Sequence, residues 1–247
     1  IAARLGEGAG PALVHATAFT DDRQVMTYLA RALAERGISC ELASPSHLRW
    51  HGARASLACD WATGPVHAIA RFFPAEWLGE LPGHTAWRHF FAHSVTPLSN
   101  PATALLTQSK RFPLVWNELR TDVPTWRALL PETRDPRDCD WRRGDWVLKP
   151  ALGRVGEDVA LRGSVSTKEW TRLARSAWLR PGSWAAQRRF DAIPLVAGEC
   201  ARYPCIGVYT VDGRVAGAYG RVASRPLIDW RAQDTAVMLA SDTARCH

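Results

Sequence analysis

The chain has 247 residues, of which 47% are hydrophobic and 22% charged. That composition suits a globular protein with its own core and excludes a disordered or fibrous chain. The length allows one large domain or two smaller ones, and no apolar run approaches the ~20 residues of a membrane-spanning helix. The net charge of +7 fits an anionic ligand, nucleic acid or simple solubility, and selects none of them.

Residues 1–10 lack a basic start followed by an apolar stretch, so no signal peptide is read there. Ile1 stands where an initiator Met would be, which leads us to expect that the natural N-terminus lies upstream. Residues 12–19 (ALVHATAF) read as a short buried strand. Asp21 and Asp22 offer an N-cap, and Val25, Tyr28, Leu29, Ala32 and Leu33 fall on one helical face. Gly37 stops that helix, and residues 38–43 read as a second strand. Strand, helix and strand in this order predict a βαβ unit with a parallel pair. A further strand is expected over 65–73, ending at Pro74. Residues 1–95 therefore read as a small Rossmann-like α/β layer.

Residues 96–247 form the second expected region. A helix is predicted over 105–119, with Pro113 as a break or restart. Residues 131–145 read as a polar loop, leading to an apolar strand over 145–148 and a glycine-bearing turn. Residues 159–162 are short and apolar. Ser166 or Thr167 caps a helix running to about residue 179, and 184–187 reads as a strand. Residues 206–211 and 214–221 form a hairpin around Asp212-Gly213, the strongest short-range turn signal in the chain.

The six cysteines show no CxxC spacing. They read as ordinary thiols in a reducing cytoplasm, not as zinc ligands or a disulfide framework. The basic residues are nearly all Arg, the three lysines being Lys110, Lys149 and Lys168. A Lys in such a chain points to a place that needs a slim point charge, although Lys168 at a polar helix start is explained by drift. Residues 146–158 (WVLKPALGRVGED) carry the most chemistry. A strand delivers Lys149 at its end, and Gly153 and Gly156 bracket Arg154 in a turn. Glycines let backbone approach a phosphate, and Lys149 with Arg154 would neutralise it, as phosphoryl transfer requires. The P-loop pattern GxxxxGK[ST] is absent. The twelve tryptophans interleaved with arginines raise nucleic acid as a further reading. The arginines are dispersed, however, and many of the tryptophans fall where core residues would.

Together these segments resemble the glutathionylspermidine synthase family. The Lys-Pro strand end followed by Gly-Arg-Val-Gly-Glu is similar to its phosphate loop. Residues 105–119 (LLTQSKRFPLVWNEL) resemble its Ser-Lys helix, and 68–78 (AIARFFPAEWL) its basic-aromatic segment. Residues 184–190 (WAAQRRF) resemble the strand at its adenine hinge. Residues 205–221 (CIGVYTVDGRVAGAYGR) resemble its terminal hairpin, and 14–37 its pre-ATP-grasp βα unit.

The resemblance implies an α/β chain with an ATP-grasp fold, in which 1–95 is the pre-ATP-grasp layer and 96–247 the nucleotide-binding region. It implies an ATP-dependent carboxylate–amine ligase that forms an amide through an acyl-phosphate, with ATP and Mg2+ as cofactors. Its partners would be a small-molecule or peptide carboxylate and an amine, with no membrane and no nucleic acid. Lys110 and Lys149 would contact the ATP phosphates, beneath a loop of Gly153, Arg154, Val155 and Gly156. Gln187 would lie near the adenine, and Arg154 and Arg221 would stabilise charge at the reaction centre. Arg71 would contact the carboxylate substrate. The family's magnesium-binding Glu and Asn precede the βα unit, and no such segment appears before Pro11. The metal ligands are therefore expected outside this chain segment. The alternative is a degenerate ATP-grasp module that binds nucleotide or peptide without turnover.

Overall fold

The computed structural model describes residues 10–140, 145–154, 156, 158–197 and 200–238. Two compact units divide the chain, Ile1–Gln108 and Ser109–His247. No helix among the described residues is long and apolar enough to cross a membrane.

A parallel sheet organises the first unit. β1 (Ala12–Val14) leads into α1 (Thr20–Ala34), which returns the chain to β2 (Glu41–Ala43) beside β1 in parallel register. An antiparallel meander of β3 (Leu48–His51), β4 (Arg54–Cys59) and β5 (Ala62–Pro65) follows. β6 (Ile69–Arg71) and β7 (Leu98–Ser99) then complete the parallel order β2-β1-β6-β7. Ala12, Leu13 and Val14 are wholly buried, as expected of a parallel strand covered on both faces. Val14, Leu48, Leu57, Ile69, Leu78 and Phe90 belong to one continuous core.

Several expectations are corrected here. Asp21 and Asp22 do not cap α1: Phe19 is its N-cap, and the two acids lie in the first turn, where they face the positive end of the helix dipole. Val25 and Tyr28 are exposed, and the buried stripe runs through Met26 toward the half-buried Leu29 and Leu33. The single strand expected over 65–73 is instead the end of β5 and, after a break, β6. The meander was not expected at all.

α2 (Leu105–Gln108) closes the first unit, and the predicted helix over 105–119 ends there. The chain resumes as a 3-10 helix over Phe112–Glu118, with Pro113 in its first turn. A missing donor and a bond to a distant residue break the helix here. Pro113 has no N–H to donate, and the Lys110 N–H bonds the Ala151 carbonyl at 2.8 Å, not a carbonyl of its own helix.

In the second unit, α3 (Pro124–Leu129) precedes β8 (Thr133–Arg134), a short strand in what was read as loop. β9 (Trp146–Pro150), β10 (Ala160–Leu161), α4 (Thr167–Leu179) and β11 (Trp184–Arg188) follow. These strands form an antiparallel sheet in the order β10-β9-β11-β8. Ser166 caps α4 as expected, its hydroxyl accepting from the Glu169 N–H. Trp170, Leu173, Ala174 and Ala177 pack α4 onto Trp146, Leu148 and Ala186 of the sheet. Arg188 lies over the Trp146 ring, 4.2 Å from its centroid, and also pairs with Glu132 at 3.0 Å. At least this arginine–tryptophan neighbour is an internal contact.

β12 (Leu195–Ala197), β13 (Cys200–Val211), β14 (Arg214–Ala223) and β15 (Gln233–Thr235) form a second antiparallel sheet in sequential order. Val211 faces Arg214 across the two-residue turn, where Asp212 and Gly213 both have positive φ (51° and 75°). This backbone is what makes the Asp-Gly pair a strong hairpin signal.

Candidate functional site

β9 and β11 place Lys149 opposite Ala185, and Val147 opposite Gln187. Strand alternation sends Trp146 and Leu148 into the core under α4. It leaves Lys149 and Gln187 as diagonal neighbours on the opposite face. Lys149 Nζ donates to Gln187 Oε1 at 2.6 Å, and Gln187 Nε2 donates to Thr133 Oγ1 at 3.2 Å. Thr133 is the residue paired with Gln187 across the β8–β11 ladder, so the sheet orients the amide from both ends.

Lys110 reaches the same place from the break after α2. Its side chain donates to the Gly153 carbonyl, at the start of the glycine turn. Burial first, and the charge on Lys110 second, push the Lys149 ammonium below its ordinary value. Two ammonium groups that disfavour one another in a half-buried setting are relieved by an anion placed between them.

Arg111, which sequence reasoning passed over, anchors this arrangement. Its Nη1 donates to the carbonyls of Pro181 and Trp184 at 2.7 Å each, and its Nη2 to the Asp135 carboxylate at 2.9 Å. The segment carrying Lys110 is thereby fastened to the start of β11. In so Arg-rich a chain, nothing in the pattern singles this arginine out.

Gly156 has φ +72°, and a Cβ there would come within 2.3 Å of the Ile228 carbonyl oxygen. Only glycine satisfies both constraints. Val155 and Glu157 lie outside the described residues. Arg154 and Gly156 help line a cavity of about 600 Å3 with Asp158, Asp229, Trp230 and Arg231.

Arg221 is half-buried on β14. Its Nη2 donates to the carbonyls of Asp229 (3.0 Å) and Ala232 (3.2 Å), and its Nε stands 3.3 Å from Asp234. It braces the segment that leaves β14. Arg71 belongs to the first unit and is 7% exposed. Its guanidinium donates to the carbonyls of Asn100 (2.8 Å), Phe73 and Pro101 (3.4 Å), tying the end of β6 to the segment after β7. The second unit thus gathers Lys110, Lys149, Gly153 and Gln187, while Arg221 and Arg71 act on backbone carbonyls.

Magnesium, which the resemblance implies, meets no group of three or more His, Cys, Asp or Glu among the described residues. Among the described acids beside the glycine turn, Asp158 pairs with Arg172 (3.6 Å) and Asp229 with Arg225. The described residues do not fit a magnesium site.

Residues 6–235 match the family described as glutathionylspermidine synthase preATP-grasp. No curated protein matches the chain. Among solved structures the chain is similar to a D-cycloserine synthetase, with 17% identity and a TM-score of 0.52 over 91% of this chain and 75% of that one. It is similar to D-alanyl-alanine synthetase A from Vibrio cholerae, with 10% identity and a TM-score of 0.52 over 89% and 68% of the two chains. A glutathione synthetase-like effector from Globodera pallida has 12% identity and a TM-score of 0.51, over 88% of this chain and 55% of that one. At such identities the likeness is one of fold. The fold is mixed α/β, of the ATP-grasp kind with a pre-ATP-grasp layer, and family and neighbours point to amide-forming ligases of that kind. With most of its length matched, the chain belongs to the glutathionylspermidine synthase preATP-grasp family.

Proposed function

We propose that the second unit binds ATP for a carboxylate–amine ligase. The observation that carries this reading is Lys110 held on the Gly153 carbonyl at the glycine turn, with the Lys149 ammonium held on Gln187 near enough that burial first and the Lys110 charge second lower its pKa. A triphosphate would satisfy both ammonium groups, and the amides of the 153–156 turn would close over it. In this reading Gln187, oriented by Lys149 and Thr133, lies near the adenine, whose edge the strand backbone would read.

In the reaction, a carboxylate oxygen attacks the γ-phosphorus, the bond to the β,γ-bridging oxygen breaks, and ADP leaves. The amine nitrogen then attacks the acyl carbon, loses a proton, and inorganic phosphate departs as the amide forms. The protein's part is positioning and charge neutralisation by Lys110, Lys149 and Arg154. We give Arg221 a bracing part, because its donors serve the segment after β14. The acid is a small-molecule or peptide carboxylate, and the amine is the second substrate.

A second reading, a nucleotide-binding module without turnover, draws on the engagement of Asp158 and Asp229 by arginines. ADP release, followed with candidate acids and amines in the presence of magnesium, separates the two. Release that requires both acid and amine supports the ligase. ATP binding with no release under any pairing supports the module.

A further inference from the structure

The segment between β14 and β15 is built around a carboxylate that the proposed reaction does not use. Asp229 is 7% exposed. Its Oδ1 accepts from the Arg231 N–H at 3.0 Å, and its Oδ2 is paired with Arg225. Its carbonyl accepts from Arg221, whose side chain also reaches Ala232 and Asp234. One residue thus folds the segment through its side chain and ties it to the hairpin through its backbone.

The same segment touches the glycine turn. A Cβ at Gly156 would lie 2.3 Å from the Ile228 carbonyl oxygen and 3.1 Å from Asp229 Cα. Turn and segment therefore meet backbone to backbone. The cavity of about 600 Å3 is lined by both, by Arg154 and Gly156 of the turn and by Asp229, Trp230 and Arg231 of the segment.

We propose that Asp229 is a positioning residue for the glycine turn: it folds the segment after β14 into a wall that sets where the turn stands over the phosphates. The inference rests on the nucleotide reading of that turn. A glycine turn left to itself loses conformational entropy whenever it closes over a ligand. A wall already in contact with Gly156 removes part of that cost and fixes the height at which Arg154 meets the transferred phosphoryl group. Without the carboxylate, the Arg231 amide and the Arg225 guanidinium lose their shared acceptor, and the wall loses its shape.

The test uses the full chain and two readouts, hydrogen exchange of the 153–158 amides and calorimetric affinity for a nonhydrolysable ATP analogue and for AMP. Asp229→Ala is expected to speed exchange in 153–158 while leaving 146–150 protected. It should weaken the ATP analogue about tenfold and AMP by less than about twofold. Asp229→Asn keeps an oxygen for the Arg231 amide and should recover most of the loss. Gly156→Ala, whose Cβ collides with the wall, should reproduce the ATP-selective loss with the carboxylate intact. Unchanged exchange in Asp229→Ala, a parallel loss of ATP analogue and AMP, or Asn performing no better than Ala overturns the proposal. If Asp229→Ala does not fold, the Asp229→Asn and Gly156→Ala arms decide. A parent chain that binds no ATP analogue sinks the nucleotide reading, and the exchange arm then still decides whether Asp229 governs the turn.

Discussion

Replacing Lys149 by Met tests the phosphate assignment with the least disturbance of the fold. Met has similar length and volume but no donor and no charge. In the folded chain the Lys149 ammonium holds a neutral amide oxygen, Gln187 Oε1, at 2.6 Å, and both burial and Lys110 disfavour its charge. Losing that bond is offset by removing a disfavoured charge, so the ligand-free stability should change by less than about 1 kcal/mol. A hydrogen bond from an ammonium to a charged phosphate is worth roughly 1.5–3 kcal/mol. At about 1.4 kcal/mol per tenfold, Lys149→Met should weaken a nonhydrolysable ATP analogue by about 10- to 150-fold. The analogue and AMP would both be titrated calorimetrically at one fixed salt concentration, because screening alters phosphate contacts. AMP affinity should stay within about twofold of the parent if the contact is to the terminal phosphates. Parent-like affinity for the analogue would refute the assignment. An equal loss for AMP would place Lys149 at the nucleoside end.

Other expectations follow from the same geometry. Because folding depresses the Lys149 pKa, the unfolded chain binds more protons between the folded and ordinary lysine values. Stability should therefore rise with pH across that alkaline window, more in the parent than in Lys149→Met, as read by urea midpoints. ATP affinity should move the other way and fall as the amine loses its proton, and a rise would contradict the charge argument. Arg111→Ala removes bonds to two carbonyls and a carboxylate and should cost about 2–4 kcal/mol, measured by denaturant unfolding. A cost under about 1 kcal/mol would remove its anchoring role. Leu173, 2% exposed on the sheet-facing side of α4, should cost about 2–5 kcal/mol when changed to Ala.

Strong local signals carried the sequence reading furthest. The βαβ unit, the Ser166-capped helix and the Asp212-Gly213 hairpin each combine a period with a stop or turn residue, and each formed. The meander of β3, β4 and β5 escaped because its strands are short and its exposed positions carry Arg and His, so alternation never runs long enough to read. The helix expected over 105–119 failed for a tertiary reason, the bond from the Lys110 N–H to Ala151. β8 is legible only through its partner β11.

At the site, Lys110, Lys149 and the glycines stood out because lysine is rare here and glycine is punctuation. Arg111 and Asp229 did not, since their work is with backbone carbonyls and amides far away in sequence or hidden in a loop. A composition dominated by arginine masks the few that matter.

The most direct test of the account is a crystal structure of the full chain with a nonhydrolysable ATP analogue. The account predicts the triphosphate between the Lys110 and Lys149 ammonium groups, under the 153–156 turn, with the adenine toward Gln187. An analogue that binds elsewhere, or leaves Lys149 on Gln187 and Lys110 on Gly153 with no phosphate between them, would contradict it.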